Sequence, residues 1–100
     1  NTIVKHIAQE YKPEKIILFG SAARGEIGPD SDVDLFIIKK GNLTPRQRSD
    51  AVYDILWQLK GRPAVDVLVY TPQEIQQRLS IGDWFVKDIL EKGKVLYNAN

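Results

Sequence analysis

The chain has 100 residues, 43% of them hydrophobic and 27% charged, with a net charge of +1 and no cysteine. Such a composition describes one ordinary globular domain with a modest core. It excludes a disulfide framework, a thiolate metal centre, a broad basic field for direct nucleic-acid binding and an apolar run able to span a membrane. No repeat, low-complexity tract, linker or signal peptide is visible, so a single domain over residues 1–100 and a cytoplasmic location are expected. The missing initiator Met suggests that the true start lies upstream.

Thr2 to Tyr11 reads as a helix, with Ile3, Ile7 and Tyr11 on one apolar face and Val4 and Ala8 beside them. Lys12-Pro13 stops it. His6 is the sole histidine, and no partner follows from spacing; a surface or half-buried imidazole is expected. Ile16-Ile17-Leu18-Phe19 is long enough for a buried strand and too short for a helix. Gly20 ends it, allowing backbone conformations barred to other residues and close approach of a ligand. Ser21 adds a hydroxyl and a backbone N–H, and Ala22-Ala23-Arg24 favours helix. A strand that passes through Gly-Ser into a helix N-terminus is a suitable seat for phosphate.

Asp30 and Ser31 shape a turn before the next strand. In that strand Asp32 and Asp34 are two apart and share a face, while Val33, Leu35 and Ile37 share the other. Adjacent carboxylates repel unless a cation lies between them, and oxygen ligands of this kind suit Mg²⁺ held together with substrate phosphates. Lys39 to Asn42 is a turn. Thr44-Pro45-Arg46-Gln47 carries the chemistry of a helix start: a Thr cap, Pro at the first position and Gln at the third. That helix is expected to run to about Lys60, burying Ala51, Val52, Ile55, Leu56 and Leu59, with Gly61 ending it. Arg46, Arg48 and Lys60 are expected on its solvated face.

Ala64 to Tyr70 is a third strand, Val65, Val67 and Val69 on one face, Asp66, Leu68 and Tyr70 on the other. Asp66 is an acid in a β-branched run, where an isolated buried carboxylate is costly unless paired or metal-bound. The bland alternative is an edge-strand acid turned to solvent. Thr71-Pro72-Gln73-Glu74 repeats the helix-start pattern, with Ile75 and Leu79 on the apolar face. Gly82-Asp83 breaks that helix, Asp83 caps another over Trp84 to Lys92, Gly93 stops it, and Val95-Leu96-Tyr97 closes as a short strand. Trp57, Trp84 and Phe85 are expected in the core; exposure of any of them would point to partner contact.

The segment GSAARGEIGPDSDVDL, Gly20 to Leu35, resembles the signature of the DNA polymerase beta-type nucleotidyltransferase superfamily, Gly-Ser, ten intervening residues, then Asp-x-Asp. The chain is most similar to the minimal nucleotidyltransferases, the MntA-like antitoxins encoded beside HEPN-domain toxins. The resemblance extends through Asp66 and covers essentially the whole sequence. It implies an α/β (α+β) two-layer domain, a mixed β-sheet with helices packed on one face and an open face at the acid cluster.

The resemblance also implies a reaction: AMP passes from ATP to a hydroxyl, with pyrophosphate released. Asp32 and Asp34 would bridge two Mg²⁺ ions, and Asp66 would hold the ion beside the incoming hydroxyl and help take its proton. Gly20 and Ser21 would bind the β- and γ-phosphates. Arg24 matches the family pattern and would contact phosphate or pair internally with an acid such as Asp30. The implied acceptor is a tyrosine of a HEPN-type ribonuclease toxin, in a homo- or hetero-oligomer. Two rivals stand beside this reading: an antitoxin that masks its toxin by contact alone, and a dimeric small-molecule transferase of the aminoglycoside-modifying kind. The segment lacks the Gly-Lys-Ser/Thr end of a P-loop and the G-x-G-x-x-G spacing of a dinucleotide fold.

Overall fold

Alternation along three strands sorts the apolar side chains onto two faces of one sheet. The computed structural model describes residues 2–20, 33–59, 61 and 64–99. Their order is α1 (Thr2–Tyr11), β1 (Lys15–Phe19), β2 (Val33–Ile38), α2 (Pro45–Trp57), β3 (Val65–Tyr70), α3 (Pro72–Ser80), α4 (Trp84–Lys92) and β4 (Lys94–Asn98). The sheet order is β3-β2-β1-β4. β2 and β3 are parallel, and β1 is antiparallel to both β2 and β4, with a register irregularity between Ile16 and Ile17 opposite β4. The parallel pair needs a crossover, and α2 supplies it.

One face carries Ile16, Leu35, Ile37, Val65, Val67 and Val69 and packs on Ile3, Val4 and Ile7 of α1 and Val52 and Leu56 of α2. The opposite face carries Ile17 and Phe36 and packs on Ile75 of α3 and Val86 and Ile89 of α4. The expected class, a mixed sheet with packed helices, holds. The layering differs from the expectation of one helical face and one open face, because helices cover both. The physical reason lies in β1 and β2: Ile16 to Phe19 and Leu35 to Ile38 are continuously apolar, so both faces need burial.

Local chemistry sets the ends of the elements. Thr44 and Thr71 each form a full capping box, with Gln47 and Glu74 respectively, and each has Pro at the start of the helix. Asp83 caps α4 by accepting from the Val86 N–H at 3.2 Å. Lys39 Nζ donates to the Tyr11 and Lys12 carbonyls at 2.9 and 3.1 Å, satisfying carbonyls at the end of α1. Gly93 has an ordinary φ of −68°. It is needed for space, since a Cβ there would overlap Ile17 Cγ2 and the Ile89 carbonyl as α4 turns into β4 beside β1.

Three expectations about single residues are corrected. Arg48 does not lie on a solvated face: it is 3% exposed and grips both carboxylate oxygens of Glu74 at 2.8 and 2.9 Å. The salt bridge ties the first turn of α2 to the first turn of α3. The large aromatics are not core residues either, for Trp57 is 84% exposed, Trp84 73% and Phe85 47%. The inward stripe of α2 runs Arg48, Val52, Leu56, and Trp57 follows a residue later on the far side. In α4 the inward positions are Val86 and Ile89, which leaves Trp84 outside. Leu79, expected on the apolar face of α3, is also exposed.

Candidate active site

The parallel register places Asp34 directly opposite Asp66. Register partners in neighbouring strands point to the same side of the sheet, with backbones about 4.8 Å apart. The ladder begins beside them, with the Val33 N–H donating to the Ala64 carbonyl at 2.9 Å. The two acids therefore stand side by side at the end of the sheet where β2 and β3 start. Asp34 is half-buried and Asp66 exposed. Below them the same face turns apolar, with Phe36 stacked on Tyr70 at 5.0 Å between ring centroids. Wet carboxylates thus rest on a dry floor formed by the next rungs of the same strands.

The third wall comes from β1. Phe19 is the register partner of Asp34, and Gly20 follows with φ +77°. A Cβ on Gly20 would overlap Asp34 Oδ2. The glycine is required twice, by its left-handed backbone and by the carboxylate against its Cα. α4 closes this side through an edge-to-face contact of Phe85 on Phe19, centroids 5.9 Å apart. Across the sheet the site reads Asp66, Asp34, Gly20, then the junction of α4 and β4.

Two carboxylates about 5 Å apart repel by roughly 1 kcal/mol in water and roughly 3 kcal/mol at an effective dielectric near 20. A divalent cation removes that repulsion, and oxygen donors alone fit Mg²⁺ or Mn²⁺ rather than zinc or copper. Among the described residues no group of three metal-ligating side chains forms. Ser21, Arg24 and Asp32 lie outside the described residues, as do Asp30 and Lys60. The structure thus brings together Gly20, Asp34 and Asp66 of the residues singled out in the sequence.

Sequence reasoning missed what flanks Gly20. Phe19, Phe85, Asp88, Ile89, Lys92 and Gly93 surround a cavity of about 240 Å³ beside it. The cue was faint: the i,i+4 spacing of Asp88 and Lys92, which form an ion pair at 3.3 Å. Another cavity, about 430 Å³, lies elsewhere, between α2, α3 and the Leu68–Val69–Tyr70 end of β3. That end is two to four residues along the strand from Asp66, so this cavity is not part of the acid corner.

The chain is similar to known proteins in sequence and in fold. The nucleotidyltransferase domain family matches residues 1–97. A Methanocaldococcus jannaschii chain whose name is that of a protein adenylyltransferase is 33% identical over 84 residues, which cover 84% of this chain and 78% of that one. A crystal structure described as a nucleotidyltransferase of Sulfolobus solfataricus superposes with TM-score 0.65 at 24% identity, covering 98% of this chain and 76% of the other. A toxin-antitoxin structure with AMP-PNP superposes with TM-score 0.55 at 20% identity, covering 100% of this chain and 73% of the other. These last two show the fold alone. No helix among the described residues is long and apolar enough to cross a membrane. A family match over nearly the whole chain, joined to a β2–β3 register that sets two acids beside a glycine corner, means that the chain belongs to the nucleotidyltransferase domain family and is an enzyme of that kind.

Proposed function

We propose that the chain transfers AMP from ATP to a hydroxyl, and that the acceptor is a tyrosine of a HEPN-type ribonuclease toxin which the transfer silences. The observation that carries the chemical half of this reading is the Asp34–Asp66 register beside Gly20. The toxin is supported by the toxin-antitoxin neighbour that holds AMP-PNP, and the adenylyl group by the name of the archaeal relative.

In the proposed reaction an acceptor oxygen bonds to the α-phosphorus of ATP, the bond to the bridging oxygen breaks, and pyrophosphate leaves. Asp32, Asp34 and Asp66 would hold two Mg²⁺ ions, which supply charge neutralisation at the attacking and leaving oxygens. Asp66, exposed on the edge strand β3, would face the acceptor and help take its proton. On the β1 side, Gly20 and Ser21 would hold the β- and γ-phosphates through backbone N–H groups and a hydroxyl. Arg24 would contact phosphate or pair with Asp30. Trp84 and Ile81, each 73% exposed, would meet the acceptor protein.

Purified chain, Mg²⁺, α-labelled ATP and the product of the neighbouring gene test this reading. Label should appear on a tyrosine of that protein. A chain that protects cells from the toxin while labelling nothing would favour masking by contact, the reading suited to the exposed aromatics. Label on a small aminoglycoside would favour the third reading.

Gly20→Ala offers a test within this chain. The left-handed backbone should cost about 1–2 kcal/mol of stability. The added methyl should displace the Asp34 carboxylate and lower transfer about a hundredfold, the loss typical of an ångström-scale misplacement. Activity within a few-fold of wild type would show that Asp34 need not lie against Gly20.

A further inference from the structure

The cavity at the junction of α4 and β4 has no role in the reaction as described so far. It borders Gly20, hence the Asp34 carboxylate, on the side away from Asp66. Its volume of about 240 Å³ is below the roughly 300–1,000 Å³ of sites that enclose a whole ligand, so it takes part of one. We propose that it seats the nucleoside of the nucleotide, with the base against Phe85 and Ile89 and the Asp88–Lys92 pair at its polar edge. This rests on the reading of the chain as a nucleotidyltransferase that uses ATP.

Three observations favour the nucleoside over the triphosphate tail. The lining is largely apolar, with Phe19, Phe85 and Ile89 beside two glycines. Among the described residues of its lining the one cation, Lys92, is already paired with the Asp88 carboxylate at 3.3 Å, so these residues give a polyanion little attraction. The Phe85 ring is held by its edge-to-face contact with Phe19 yet remains 47% exposed. A fixed, half-uncovered ring is a stacking platform, and every base has a face to stack. Asp88 adds an acceptor and Lys92 a donor for polar groups of base or ribose. Position agrees as well, since the nucleoside hangs directly from the α-phosphate, which must lie at Asp34 for transfer to occur.

The assignment also explains a division of labour among elements. α4 borders the active site through this wall, and Gly93 lets its end approach β1 closely enough to form it. Nucleoside and acceptor would then enter from opposite sides of Asp34, the first over β1 and the second over β3.

Amide NMR of the ¹⁵N-labelled chain with Mg²⁺ tests this, using an ATP analogue that cannot be cleaved between the α- and β-phosphates, and tripolyphosphate as separate probes. The analogue should shift the amides of Gly20, Phe85, Ile89 and Gly93. Tripolyphosphate should shift Gly20 and leave Ile89 and Gly93 in place. Phe85→Leu, which keeps apolar bulk, should weaken analogue binding about fivefold or more and raise the KM for ATP with little change in kcat. Equal shifts of Ile89 and Gly93 by tripolyphosphate would overturn the assignment. So would an analogue that shifts Gly20 but not the cavity. An analogue that shifts nothing would remove the reading of ATP as the nucleotide, and this inference with it.

Discussion

Asp66→Asn should leave the fold intact and lower nucleotidyl transfer at least about a thousandfold, roughly 4 kcal/mol of lost transition-state stabilisation. The two effects separate because Asp66 is exposed and makes its contribution to the site rather than to the core. Asn keeps the shape but loses the charge that holds a cation. Thermal stability measured without divalent ions should stay level or rise by up to about 1 kcal/mol, since Asp34 no longer faces a like charge across the ladder. Asp34→Asn should match it in activity. An edge-strand acid that merely faces water gives a different outcome, with transfer unchanged in Asp66→Asn. Rates and melting temperatures measured on the same preparations separate the two cases.

Arg48→Ala should be the most destabilising change away from the site, at about 3 kcal/mol, the lower end for breaking a buried ion pair. The lower end applies because Glu74 keeps about a third of its side chain exposed and can be hydrated when its partner is lost. The damage should extend to α3, since Glu74 Oε1 also accepts from the Thr71 N–H at 2.9 Å in the capping box. Partial burial pushes the Glu74 carboxyl up, but hydrogen bonds from Arg48 and Thr71, with the Arg48 charge, outweigh it and hold the group below its ordinary value. A depressed carboxylate stabilises the fold above its unfolded pKa, and that contribution fades as pH falls through the folded value. Stability should therefore drop on acidification below the ordinary glutamate range, and Glu74→Gln should flatten that drop. Urea unfolding at several pH values measures both. A loss under about 1 kcal/mol in Arg48→Ala would mean that the pair contributes little to joining α2 and α3.

The parts of the site legible in the sequence obey strict alternation. Asp34 and Asp66 each fall on the face opposite a β-branched or leucine run, and the pairing of β2 with β3 makes those faces coincide. Gly20 was legible as the residue that ends β1, although its contact with Asp34 is tertiary. The caps Thr44, Thr71 and Asp83 were legible because they are local.

Misreadings came from residue type overriding helix phase. Arg48 reads as surface by charge, yet it lies one helical repeat from Val52 and so points inward. Trp57 reads as core by size, yet it directly follows Leu56 and so points outward. The cover over both faces of the sheet was foreshadowed by the unbroken apolar runs of β1 and β2. The cavity at Phe85 left only the faint i,i+4 cue of Asp88 and Lys92, because it depends on how α4 crosses β1.

A crystal of the chain grown with Mn²⁺ and a non-hydrolysable ATP analogue tests the central claim most directly, through the anomalous signal of manganese. A manganese ion coordinated by both Asp34 and Asp66, with the triphosphate at Gly20, is the expected result. Bound nucleotide with no cation shared by those two carboxylates, or with Asp66 turned away from it, would contradict the account.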